Sequence, residues 1–357
     1  MRIIDAREIT FGIDSEIRNA VIDFSEMTVS LVGLVSDQVV GGRPLIGYGF
    51  NSNGRYGQPG LLRERFFPRL RKTPAEDLLT ENGNVDPRAI SDRIMMNEKP
   101  GGHGDRAVAV GIIDMAAWDL AAKLEGRPVA QTLAAQQGRR PEPDVWTYAA
   151  GGYYYPGKDI EQLQAEIDRY LKLGYLTVKI KIGGAPLAED LARIEAVLEM
   201  LPPGGRLAVD ANGRHTADEA LEYATALNSY DLAWYEEPVD PSDFAGHAAV
   251  AKVHPGPIAT GENLFSWREV ENLLRYGGLR PDRDILQMDP VLSYGLSEYL
   301  RTVAVVEKYG WPRSSLVPHG GHQFNLHIAA ALGLGGCEAY PGVFEPFGGF
   351  AHGRRVD

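Results

Sequence analysis

The chain has 357 residues, 44% hydrophobic and 24% charged, an ordinary globular composition with length for one large domain and a smaller one. Its formal net charge is −12, from 36 Lys and Arg against 48 Asp and Glu; nucleic acid is therefore excluded as a partner, because phosphates need a basic surface. No apolar run approaches a membrane span, the opening MRIIDAREITFGID lacks the apolar core of a signal peptide, and the single cysteine, Cys337, offers no disulfide framework. Together these predict a cytoplasmic protein with no membrane partner.

Residues 1 to about 110 read as mixed α+β, with TVSLVGLVSD and PLIGYGF as strands joined through QVVGGR. GRYGQPGLLRERFFPRLR opens as a Gly/Pro loop and then turns helical. RAVAVGIIDMAAWDLAAKLEGRPV has apolar residues at helical spacing and is ended by Gly126 and Pro128. A rhythm of short apolar runs then begins: DVWTYAAGG, LTVKIKIGG, GRLAVDAN, LAWYEEP, GPIATGEN, DILQMDP, SSLVPHGG and GGCEAYPG. Helical stretches such as IEQLQAEIDRYLKLG and EDLARIEAVLEML lie between them. The fold class predicted is α/β, a TIM-type (β/α)7β barrel behind an N-terminal α+β domain. An open doubly wound sheet fits less well, since no GxGxxG follows the first strand.

The barrel decides which way two lysines point. In TVKIKIG, Val178, Ile180 and Ile182 alternate with Lys179 and Lys181. Taken alone, the pattern is a half-exposed strand with its lysines in water. In a parallel barrel the outer face is covered by helices and is apolar. Lys179 and Lys181 then point inward, near the C-terminal strand ends where active sites of this fold lie.

Four strand ends carry carboxylates: Asp210, Glu236, Glu262 and Asp289. The first three are spaced 26 residues apart, one β/α unit per step, so they should converge. Converging carboxylates repel unless a cation sits between them, and hard oxygen ligands favour Mg²⁺ over zinc or copper. Each alone could be a helix cap; three matched ends argue for a metal site. His319 ends the seventh run beside Asp289, and an imidazole held by a carboxylate suits acid/base work. His322 and His327 fall in the following loop and helix; His103, His215, His247, His254 and His352 read as loop or surface residues. Glu338 in the eighth run either donates to substrate when protonated or partners a lysine.

In this order KIK, VDAN, YEEP, GEN, QMDP and PHGG resemble the enolase superfamily, in its mandelate racemase-like branch. The resemblance covers almost the whole chain, and DMAAWDLAAKLEGRPV is similar to the family's link from cap to barrel. TVKIKIGG, VPHGGHQFNLH and CEAYPGVFEPFGG resemble the D-tartrate dehydratases of that branch. The resemblance implies a capping domain over 1–125, a barrel over 126–340, and a segment over 341–357 returning toward the cap. Family members usually continue with such a segment, whereas this chain stops at FAHGRRVD. Implied as well are Asp210, Glu236 and Glu262 as Mg²⁺ ligands, Lys181 as base with Lys179 beside it, and His319 with Asp289 as acid. A homo-oligomer is implied too. Substrate contacts are expected from Lys179, Asn212 and Glu338. The cap loops GIDSEIRNAVID and NSNGRYGQPG should set specificity, with Arg55 and Tyr56 as contacts.

The chemistry this implies is that of a hydro-lyase acting on a small anionic hydroxy diacid, turning D-tartrate into oxaloacetate. Lys181 takes the α-proton, Mg²⁺ and nearby cations stabilise the ene-diolate, and His319 protonates the departing β-hydroxyl; this division of labour belongs to the superfamily. Lys181 must titrate below the ordinary lysine value of ~10.4, which Lys179 and the metal would bring about. A racemase or epimerase, or a dehydratase of a longer acid sugar such as galactarate, uses the same pair. A non-catalytic barrel is least supported, since every ligand and base is present.

Overall fold

Alternating residues in the first fifty positions build a three-stranded antiparallel sheet of β1 (Ile3–Gly12), β2 (Thr28–Val40) and β3 (Arg43–Phe50), paired in chain order. The structure is a computed structural model that describes residues 1–52, 54–155 and 157–341. β1 escaped the sequence reading because Ile4, Ile9 and Phe11 are exposed, which blurs the apolar-in, polar-out pattern. A π-helical turn (Leu61–Phe66) runs into α1 (Phe67–Lys72), followed by α2 (Pro87–Ile94) and α3 (Asp105–Leu124).

α3 is the joint of the molecule. It is apolar on nearly every side and almost wholly buried, as expected of a helix enclosed by core. Ala109, Ile112 and Ile113 pack with Val32, Leu34 and Phe66. Met115 and Trp118 pack with Leu296 and Tyr299 of the second half of the chain. α3 ends where predicted, just before Gly126 and Pro128.

After α4 (Val129–Gln136), strands and helices alternate: β4 (Thr147–Ala150), α5 (Ile160–Lys172), β5 (Thr177–Lys181), α6 (Leu187–Leu198), β6 (Arg206–Asp210), α7 (Ala217–Leu227), β7 (Tyr235–Glu236), α8 (Phe244–Val253), β8 (Ile258–Thr260), α9 (Trp267–Tyr276), β9 (Ile285–Leu286), α10 (Leu296–Lys308), α11 (Gln323–Leu332) and β10 (Cys337–Ala339). Seven strands form one parallel sheet in the order β10-β4-β5-β6-β7-β8-β9. The remaining run, SSLVPHGG, joins by a single parallel bridge from Leu316 to Leu286. Gly335 N then donates to Leu316 O at 2.9 Å, and Glu338 N approaches Pro318 O at 3.5 Å. On the β9 side Val317 N donates to Leu286 O at 3.0 Å and His319 N to Gln287 O at 3.3 Å; toward β10 Pro318 has no N–H to give, and the run still brings the sheet round to β10. Val178, Ile180 and Ile182 pack outward with Leu163, Ile167 and Ile194 of the helices, and Lys179 and Lys181 are buried inside. Among the described residues no helix is long and apolar enough to cross a membrane. The expected C-terminal segment lies, beyond Pro341, outside the described residues.

α3 also touches the loop that carries Asp289. Its Gly111 has no room for a side chain: a Cβ there would sit 1.7 Å from Val291 O. One turn on, Asp114 accepts from the Ser297 backbone at 3.2 Å and from the Ser297 hydroxyl, capping the start of α10. Val291 N in turn donates to Asp289 at 2.7 Å. Gly111→Ala should force α3 and this loop apart. We expect a stability loss of about 1–3 kcal/mol, the usual range for overpacking. Chemical denaturation measures it, and an unchanged midpoint would contradict the close approach.

Candidate active site

Parallel register places the first part of the site. Lys181 of β5 pairs with Asp210 of β6, and Asp210 pairs with Glu236 of β7. Paired residues on parallel strands face the same side, so one row of three side chains points into the barrel. Beside them, Lys179 pairs with Ala208 and Glu236 with Ala259, small residues that leave the interior open. Below lies a floor of Tyr148 and Trp234, edge to face at 4.8 Å; Trp234 Nε1 donates to Glu236 at 2.7 Å. Glu262 follows β8 through Gly261, whose φ is +120° and whose Cβ would meet Met288 Sδ at 2.7 Å. No other residue takes that turn without strain. Asn212 and Glu237 also have positive φ, 50° and 39°, placing strained backbone just past two of the three carboxylates, as functional sites often do.

The expected convergence is present. Asp210, Glu236 and Glu262 are all buried, with one carboxylate oxygen from each within 4.8 Å of the others. Lys181 Nζ donates to Asp210 Oδ2 at 2.5 Å. Lys179 Nζ lies 2.5 Å from Glu236 Oε1, 2.7 Å from Glu338 Oε1 and 3.4 Å from Asp210 Oδ2. Burial and Asp210 push the Glu236 carboxyl up to about 8. Glu262 Oε2 and Asn212 Oδ1 are buried with no hydrogen-bond partner among the described residues. Crowded carboxylates, one of them driven toward its protonated form, and an unanswered oxygen fit a hard divalent cation.

His319 sits with β4 and β10 between it and Lys181 around the ring. Its Nδ1 meets Asp289 Oδ2 at 3.0 Å; Asp289 Oδ1 accepts from Val291 N and Leu292 N. Nε2 lies 3.3 Å from Tyr340 Oη, 3.6 Å from Glu262 Oε2 and 3.9 Å from Glu338 Oε2. Burial opposes charge on this ring, but Glu262, the Asp289 hydrogen bond and Glu338 outweigh it and raise the pKa to about 10. Both Lys181 and His319 line a cavity of about 380 Å³, the size of a small-ligand pocket. Asn212 and Glu262 line it from the barrel, and Asn19, Val21, Ile22 and Arg55 from the two expected cap loops. Arg55 donates to Asn263 Oδ1 and lies 5.2 Å over the Phe265 ring.

Several expectations need correction. Glu338, expected to offer substrate a proton, has both oxygens occupied as acceptors: Lys179 on one, Tyr340 Oη (2.6 Å) and Gly320 N (2.9 Å) on the other. Burial opposes its charge, but Lys179 and His319 hold it well below the usual carboxylate range; it is the lysine's partner. Lys179 is surrounded by three carboxylates and is not among the residues lining the cavity. Tyr56 is 50% exposed and does not line it either. Lys181, expected to titrate low beside Lys179 and a bound metal, is held above its ordinary value by the side chains alone: burial and Lys179 work downward, but Asp210, Tyr153 and Glu262 win. His215, His247 and His254 are buried, each hydrogen-bonded within the barrel wall, rather than on the surface; His352 lies outside the described residues. The sequence reading missed Tyr153, whose ring lies 5.2 Å from Lys181 Nζ, and Tyr340. Tyr340 stands two residues after Glu338, so strand alternation alone puts both on one face.

Residues 162–346 match the enolase C-terminal domain-like family. The L-talarate/galactarate dehydratase of Salmonella typhimurium is 32% identical over 289 residues, 81% of this chain and 68% of that protein. The arabinonate dehydratase of Saccharolobus solfataricus is 33% identical over 237 residues, 64% of this chain and 60% of that one. This chain thus spans about two thirds or less of those relatives' own length. A crystal structure of the Salmonella typhimurium dehydratase, liganded with Mg and L-lyxarohydroxamate, is similar with a TM-score of 0.71 at 24% identity, over 93% of this chain and 81% of that chain.

The carboxylate trio makes a prediction that needs no substrate. Titrating the protein with Mg²⁺ should raise its melting temperature with concentration, as for any ligand of the folded state. Asp210→Asn and Glu262→Gln should flatten that dependence. An equal rise in wild type and both variants would place the cation elsewhere.

Proposed function

Because the chain belongs to the enolase C-terminal domain-like family of the enolase superfamily, we propose that it is a Mg²⁺-dependent dehydratase of a polyhydroxy acid. The observation that carries this reading is one cavity lined by an amine, Lys181, and a carboxylate-held imidazole, His319, beside the acidic trio. In this reading residues 1–125 cap a barrel of residues 126–340, and the assembly is a homo-oligomer, which analytical ultracentrifugation reads directly.

Asp210, Glu236 and Glu262 would hold the cation, which would supply Lewis acidity toward the substrate carboxylate and offset the carboxylate charge around Lys181. Lys181 accepts the α-proton, and the electron pair of the broken Cα–H bond is first taken up by the substrate carboxylate; in a second step it forms a Cα–Cβ double bond as the Cβ–O bond breaks. His319 gives its Nε2 proton to the departing hydroxyl, which leaves as water. The enol left behind becomes a 2-keto acid when its hydroxyl proton is exchanged for one on Cβ. Asp289 holds the ring by Nδ1 so that Nε2 faces the cavity. Lys179, occupied by carboxylates, balances charge rather than binding substrate. Amine and imidazole on opposite faces of the substrate give anti elimination.

Two substrate lengths fit this machinery. D-tartrate, giving oxaloacetate, is the finer reading suggested by the sequence. A longer acid sugar such as galactarate is supported by the dehydratases named above. It is supported as well by a cavity that continues from the reacting pair to Asn19, Arg55 and Asp240, where Arg55 offers a cation to a distal carboxylate.

The test is a panel of tartrate stereoisomers, galactarate, talarate and arabinonate with Mg²⁺, scored for keto acid and for deuterium at Cα in recovered substrate. Turnover of a six-carbon diacid alone selects the longer substrate, and turnover of D-tartrate alone selects the shorter. Exchange without keto acid from any of them would replace dehydration with racemisation. Lys181→Ala should abolish both exchange and elimination, a loss of at least about 10²-fold. His319→Asn should abolish elimination and leave exchange. Full activity in Lys181→Ala would remove Lys181 as the base.

A further inference from the structure

His319 is held at both ring nitrogens. Asp289 at Nδ1 is an ordinary orienting carboxylate. Among the described residues the nearest polar neighbour given for Nε2 is the Tyr340 hydroxyl at 3.3 Å, closer than either carboxylate on that side. Tyr340 has one proton to give, and its geometry spends it: Oη donates to Glu338 Oε2 at 2.6 Å. Its oxygen is thereby left as an acceptor toward Nε2–H. Glu338 is itself fixed by Gly320 N at 2.9 Å and by Lys179 Nζ at 2.7 Å. The phenol therefore cannot turn without breaking a buried contact to a charged group. Tyr340 is buried and lines the same cavity as His319 and Lys181. Its backbone is fixed too, since a Cβ on Gly321 would meet Tyr340 N at 2.9 Å.

Resting on the dehydratase reading, we propose that Tyr340 is the positioning residue of the general acid. Its oxygen holds Nε2–H of His319 at the place where a substrate β-hydroxyl arrives, one hydroxyl acceptor standing in for another. Asp289 sets which nitrogen faces the cavity; Tyr340 sets where in the cavity that nitrogen points. A side chain that aligns the acid acts on C–O cleavage and not on removal of the α-proton. Tyr340 serves the acid's half of the reaction only, while Lys181 depends on Asp210 and Tyr153.

Tyr340→Phe keeps the ring and removes the oxygen. Elimination (kcat for keto-acid formation) should fall by about 10²-fold, the usual effect of misaligning a reacting group. Wash-in of deuterium at Cα should stay within about threefold of wild type, KM should hold, and the melting temperature should remain close to that of wild type. Wild-type elimination in Tyr340→Phe would overturn the proposal, as would equal loss of exchange and elimination, which places Tyr340 in binding or folding. A second readout needs no substrate: the ¹⁵N NMR signal of His319 Nε2 at fixed pH should shift in Tyr340→Phe and not in Tyr56→Phe. If wild type neither exchanges nor eliminates any acid sugar, the dehydratase reading fails alone; an unmoved Nε2 signal removes the positioning role in either case.

Discussion

The structure turns on burying several carboxylates within reach of one another. Asp210, Glu236, Glu262, Asp289 and Glu338 are each less than a tenth exposed. Taking such charges out of water costs several kcal/mol apiece unless they are answered. Lys179 answers three of them from a single position, with its ammonium against Asp210, Glu236 and Glu338. That explains a lysine with 1% side-chain exposure lying too deep for the cavity. It also explains why two lysines alternate on one strand. The inner one neutralises, and the outer one, a residue pair nearer the strand end, opens onto the cavity. With both present the site still carries more negative than positive groups, which a divalent cation between Asp210, Glu236 and Glu262 would redress.

The same polar contacts tie the two reactive groups together behind the cavity. From His319 they pass to Tyr340, Glu338, Lys179, Asp210 and Lys181, at 3.3, 2.6, 2.7, 3.4 and 2.5 Å. Lys181, His319 and Tyr340 face the cavity while Lys179 and Glu338 are buried behind it, so the two ends are linked through one frame. α3 adds rigidity from outside. It grips the Asp289 loop at Gly111 and the start of α10 at Asp114, so the partner of His319 is fixed by the helix on which the cap sheet also packs.

Much of this was legible in the sequence because periodicity and covalent spacing leave few alternatives. Once the β/α rhythm is recognised, alternation forces Lys179 and Lys181 inward, and a 26-residue step forces Asp210, Glu236 and Glu262 to neighbouring strand ends. What escaped depends on which groups compete for one another in three dimensions. Glu338 reads equally well as a donor or as a lysine partner until Tyr340 and Gly320 are seen filling its second oxygen. Lys181 was expected to lose its proton readily because Lys179 and a metal are near; among the side chains alone, Asp210 and Tyr153 each outweigh Lys179. His215, His247 and His254 look like loop or surface residues in one dimension; His215 and His254 are in loops, but all three are buried because their partners, Tyr235, Thr260 and Asn228, come from other β/α units. The run carrying His319 has the pattern of a strand and gives two backbone hydrogen bonds to the β9 side, yet Pro318 has no N–H to give toward β10, so its pairing there is incomplete.

The pairing of the His319 run bears on how the site is held. Lys181, Asp210 and Glu236 stand on strands in continuous register, so their spacing is set by backbone hydrogen bonds. The His319 run gives two hydrogen bonds to the β9 side, Val317 N to Leu286 O at 3.0 Å and His319 N to Gln287 O at 3.3 Å, and receives two from the β10 side, from Gly335 N at 2.9 Å and Glu338 N at 3.5 Å. Side chains add to this backbone pairing. Asn325 Nδ2 donates to the backbone carbonyl of His319 and, at 2.8 Å, to that of Gly320, while Glu338 receives Gly320 N. Lys181 is thus positioned by strand register alone, and His319 by strand pairing together with a polar network. A network of side chains is the part of such a frame that substitution can retune without unfolding the barrel, since strand register is common to the whole core and a phenol–carboxylate contact is local.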